Sequence, residues 1–156
     1  MASGIEQLKV LYLGSDDEKD STRALYYLKR AFQATRRRSV QVVSRNEKEQ
    51  LTAADFAGVG LIIVANALPE ARLELARAQW QAGKTVLFTV SSPAAIPTLG
   101  KLLRAESLSG VEAPADRYAM LGQIDFTHPL FAPFADPRFS DFTKIHFWKH
   151  RRLDTN

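Results

Sequence analysis

The chain has 156 residues, 46% of them apolar, which suffices for one ordinary two- or three-layer core and makes a single domain over 1–156 the expectation. It carries no cysteine, which excludes disulfides, thiolate catalysis and cysteine-based zinc or iron–sulfur sites. The net charge of +4 comes largely from Arg36-Arg37-Arg38 and from the segment between Lys144 and Arg152, and no apolar run approaches the roughly 20 residues of a membrane-spanning helix, so the chain reads as a soluble domain.

Met1-Ala2-Ser3-Gly4 is small and polar and reads as a leader on a domain cut from a longer protein. The apolar run KVLYLG, stopped by Gly14, predicts a first strand over about 8–13. Behind it, Ala24, Leu25, Leu28, Ala31 and Phe32 recur on one helical face, and Ser15 with Glu18 has the form of a capping box. A helix close behind the strand follows. SVQVVS predicts a second strand around 40–43, LTAADFAG a helical turn, and VGLIIVANA a third strand around 60–65, apolar on both faces as a central parallel strand is. Pro69 then suits a first helical turn, Leu73, Ala76 and Trp80 line one face, and Gly83 stands just past the end. KTVLFTV predicts a fourth strand near 85–90.

Strands and helices alternating at this spacing imply parallel pairing through right-handed crossovers, hence a three-layer α/β sandwich of flavodoxin-like type with a mainly parallel sheet. After Val90 the pattern loosens. Pro93 and Pro97 confine a helix to about Pro97 through Arg104, and RYAMLGQIDF reads as a fifth strand. THPLFAPFADPRFSDF, with three prolines and four phenylalanines, reads as an ordered loop pinned to the core by its aromatic rings.

Ligands in open parallel sheets bind beyond the carboxyl ends of the strands, so candidate site residues are sought in the loops there. Asp16 and Asp17 follow the first strand, Asn66 the third, and Ser91 and Ser92 the fourth, with His128 the nearest candidate base in sequence terms. Acids at a helix start repel a phosphate, which argues against a nucleotide cradle. Paired acids after a first strand resemble the magnesium-binding pair of two-component receiver domains, in which Asn66 would stand where the phosphate-accepting aspartate lies and Ser91 near the switch hydroxyl. Asparagine forms no acyl phosphate, so that resemblance implies a non-phosphorylated relative. The simpler reading is helix capping by the acids. Ser91 and Ser92 lack the flanking glycines of a nucleophile elbow. No catalytic residue, metal or cofactor is assigned.

FTKIHFWKHRRLD reads as a strand in which Lys144, His146, Trp148, His150 and Arg152 share one face. Four strand residues span about 13 Å, too far for His146 and His150 to hold one metal. The face is a candidate interaction surface for a protein partner, while alternation splits the charges too evenly for a phosphate-tracking stripe. As an edge strand it either associates with a second copy or is covered by other residues, lysines and arginines being common guards against pairing.

The run from LTAADFAGVGLIIVANALPEARLELARAQWQAGKTVLFTVS, followed by HPLFAPFADPRFSDFTKIHFWKHRRL, resembles the class I glutamine amidotransferase-like domain of bacterial membrane-anchored proteins of the aerotolerance-regulator (Bat) type, which also carry a von Willebrand factor A domain. In catalytic amidotransferases a cysteine at the elbow attacks the glutamine amide. Here Val90-Ser91-Ser92 fills that neighbourhood, so the resemblance implies the fold without the glutaminase. It implies a non-catalytic interaction or scaffolding domain of a larger, membrane-tethered bacterial protein, facing protein partners or other domains and not nucleic acid. The alternative is a ligand-binding or hydrolase-like site at the carboxyl edge of the sheet.

Overall fold

A computed structural model describes residues 6–32, 35–105, 107–113, 117–139 and 141–155; the leader expected over 1–4 lies outside them. The chain gathers into two compact units, Met1–Ser109 with Thr155–Asn156, and Gly110–Asp154.

In the first unit β1 (Glu6–Leu13), β2 (Arg38–Arg45), β3 (Val59–Val64) and β4 (Thr85–Phe88) form one sheet in the order β2-β1-β3-β4, every pair parallel. Period-two alternation explains how it is covered. Leu11 and Leu13 of β1 and Ile62 and Val64 of β3 turn to one side, against Leu73 and Ala76 of α2 (Glu70–Gln81), Leu102 of α3 (Ile96–Leu103) and Phe56 of a 3₁₀ turn at Ala53–Phe56. Val10, Tyr12, Ile63 and Ala65 turn to the other, against Leu25 of α1 (Ala24–Ala31). Helices therefore lie on both faces of a parallel α/β sheet. Burying a leucine as completely as Leu11 or Leu73 contributes roughly 1.5–3 kcal/mol.

The helix behind β1 starts later than its sequence suggests. Ser15 and Glu18 form no capping box; Glu18 instead pairs with Lys29. The Asp17 carboxylate accepts the Lys19 amide (2.9 Å) and Asp20 the Thr22 amide (2.9 Å), so side chains hold the backbone in turns until Ala24. The capping box is at Thr52, whose amide donates to the Asp55 carboxylate (2.8 Å) ahead of the 3₁₀ turn. α2 buries Leu73 and Ala76, while Trp80 stays 42% exposed. It ends at Gly83, φ +86°, where Gly83 donates to the Trp80 carbonyl (2.9 Å) and Lys84 to Gln79 (3.0 Å). α3 ends the same way on Arg104, a non-glycine residue held at φ +56°.

The expected fifth strand, Arg117 to Phe126, does not form. It makes a single isolated bridge, Ala119 with Phe147, and the strand lies earlier: β5 (Leu108–Glu112) pairs with β6 (Arg151–Thr155) in a separate two-stranded sheet. LSGVE is short, with Gly110 at its centre, and gives no apolar run to notice. Among the described residues no side chain of Gly110–Asp154 is buried, so the phenylalanines build no buried core within that unit. Phe126 and Phe134 each pack against Phe142, with ring centroids 6.2 and 5.9 Å away.

The tail also departs from a continuous strand. Asp141 accepts the Thr143 amide (3.2 Å) and opens a 3₁₀ turn over Phe142–Lys144, leaving the single bridge at Phe147 and the short strand Arg151–Thr155. The continuous strand expected from Lys144 to Arg152 is therefore broken, although His146 and Trp148 still meet one ring, Tyr118, and the final strand has β5 as its neighbour within the chain.

Candidate functional site

β1 delivers the chain to the carboxyl end of the sheet, where Gly14 makes the first turn. A β-carbon at Gly14 would stand 2.8 Å from Tyr12 Cε1 and 3.0 Å from Ala65 Cβ, so only glycine lets the strand end against the tyrosine ring. Tyr12 is buried, and its hydroxyl donates to Asp16 Oδ2 (2.6 Å). Burial, and after it the hydrogen bond to Asp16, raises the phenol above its ordinary value, because both disfavour a phenolate there.

Asp16, Asn66 and Ser91 do converge, lining one open hollow of about 180 Å³ with Tyr12, Arg23 and Thr89. The Asn66 amide donates to Ser15 Oγ (2.7 Å), tying the loops behind β1 and β3 together. Ser91 Oγ donates to the Ala65 carbonyl (2.7 Å), and Thr89 Oγ1 to the Val64 carbonyl (3.2 Å), tying the segment behind β4 to β3. The hydroxyls and amides of the hollow thus bind the loops to one another. The Ser91 proton is thus directed at a backbone carbonyl and not at a side-chain base.

The other predicted residues stand elsewhere. Asp17 caps its own turn. Ser92 occupies the position before the 3₁₀ turn Pro93–Ala95, its carbonyl accepting the Ala95 amide (3.0 Å). His128 belongs to the second unit, where its Nδ1 accepts the Leu130 amide (3.2 Å). Among the described residues no three His, Asp or Glu side chains gather as a metal-binding group. Tyr12, Arg23 and Thr89 were not singled out from sequence. The signal for Tyr12 was its hydroxyl: a buried tyrosine sends its polar end to a partner, and Asp16 is the nearest acid along the chain.

Of the tail residues, His146 stacks on Tyr118 with centroids 3.8 Å apart, and Trp148 meets the same ring edge-on at 5.5 Å. The bases beside them have carboxylate partners: Lys144 with Asp141 (3.4 Å), Arg151 with Glu112 (3.1 Å), Lys149 with Glu112 (3.7 Å), Arg152 with Asp154 (3.9 Å). His150 enters through its backbone, its carbonyl accepting the Ala113 amide (3.0 Å).

No helix among the described residues is long and apolar enough to cross a membrane. Set beside family models, curated proteins and solved structures, the chain matches none of them.

Proposed function

We propose that this chain is a non-catalytic interaction domain with a flavodoxin-like, amidotransferase-like sheet, part of a larger membrane-tethered bacterial protein of the kind its sequence resembles. The strand order β2-β1-β3-β4 is the first part of the flavodoxin-like order and supports the finer fold assignment. The observation that carries the functional reading is the Ser91 hydroxyl, turned into the Ala65 carbonyl at 2.7 Å where an amidotransferase presents its nucleophile. Around it the polar side chains hold loops together. The hollow, about 180 Å³, falls below the roughly 300 Å³ at which small-molecule pockets begin. Protein is the partner class this favours. Residues 110–154 carry six Lys and Arg against six Asp and Glu, so the unit that holds the basic aromatic tail has no net positive charge to offer a polyanion.

The test is turnover of glutamine and of a nitrophenyl ester by the purified chain and by Ser91→Ala. The reading expects both proteins to match the uncatalysed rate. Turnover that Ser91→Ala abolishes would overturn it.

A further inference from the structure

The sheet face on which α1 packs carries more apolar surface than that helix covers. Eight residues make a helix about 12 Å long, and four strands about 4.8 Å apart need more than one such helix across them. Leu25 and Leu28 of α1 cover Val10, Tyr12, Ile63 and Ala65. At the amino ends of the same strands Leu8, in register with Val40, remains 36% exposed, and Phe32, just past the end of α1, 37%. With Leu61 of β3 they line an apolar groove of about 300 Å³. Leu87 of β4, beside Ile63 in the ladder and 51% exposed, continues the face. Parallel sheets are ordinarily covered on both sides.

Three consecutive arginines, Arg36 to Arg38, stand in sequence between Phe32 and Val40, both of which line the groove. Arg38 lines it and pairs with Glu6 (3.0 Å). Arg36 and Arg37, in the link from Phe32 to β2, are exposed, and their guanidinium groups have no partner among the described residues. We infer that the groove docks a short amphipathic segment of a partner protein, its apolar side chains entering beside Leu8, Phe32 and Leu61 and its carboxylates meeting Arg36 and Arg37. This rests on the interaction-domain reading and names its partner's chemistry. The surface is concave, which suits an inserted segment; a bilayer is entered by side chains that protrude.

A displayed library of random peptides of about 16 residues, roughly 24 Å as a helix, selected on the purified chain, tests this. The expected consensus has apolar residues at helical spacing flanked by Asp or Glu. Its binding should weaken about tenfold in Arg36→Glu/Arg37→Glu at low salt, where exposed charges are least screened, and return when the peptide's acids are exchanged for lysines. Phe32→Ala, at an exposed position, should weaken it too. Failure to enrich such peptides, or equal binding by the double variant, overturns the inference. So does binding to phosphatidylserine vesicles lost in the same variants without peptide enrichment, which would make the groove a membrane surface. Each of these leaves the Ser91 result as it was, whereas turnover abolished by Ser91→Ala sinks the interaction reading by itself.

Discussion

Gly14 and Tyr12 act as a pair, the glycine leaving the space that the buried ring occupies. Gly14→Ala puts a methyl within 2.8 Å of a ring with nowhere to move. It should lower stability by about 1–3 kcal/mol in chemical denaturation, as overpacking does. Tyr12 also predicts a pH effect. Its folded-state value lies above the ordinary 10.0, so the folded chain keeps a proton that the unfolded chain loses. The stability it contributes is complete below pH 10 and declines as pH rises beyond it. Denaturation midpoints taken through that range should fall for the native chain and less for Tyr12→Phe; equal falls would show that the phenol is not responsible. The glycine stop at Gly14 was readable in sequence. The reason for it was not, because the clash lies with a ring two residues back and with Ala65 on another strand.

Among the elements, those that bury an apolar face were legible and those that do not were misplaced. β1, β3 and α2 follow their periodicity because Leu11, Ile62 and Leu73 pack where alternation sends them. α1 starts later than its sequence suggests because Ser15 and Glu18 match a capping pattern while Asp17 and Asp20 take the nearby amides into turns. β5 carries no sequence signal, and β6 is shorter than the tail's pattern suggests, because neither is fixed by burial. β4 is an end of the sheet: among the described residues it pairs with β3 alone, and it carries neither charge nor proline between Thr85 and Phe88. Leu87→Lys should therefore cost under about 1 kcal/mol and reduce concentration-dependent association in sedimentation velocity. A large loss of stability would mean that Leu87 is covered in solution.

At the scale of the molecule, the two units differ in what holds them. Met1–Ser109 is organised by two apolar clusters on either side of a parallel sheet. Gly110–Asp154 relies on ring contacts and ion pairs such as Arg151 with Glu112, which follow no period that a sequence displays. The candidate site was legible only in part. Position behind the strands was enough to find Asp16, Asn66 and Ser91, but which of their hydrogen bonds are internal depends on loops 51 residues apart, as between Asn66 and Ser15. The central claim is that these groups hold the carboxyl edge together and do not react. Intact-mass measurement after exposure to a fluorophosphonate tests it most directly: the account predicts an unmodified chain, and a single phosphonyl adduct mapping to Ser91 would contradict it.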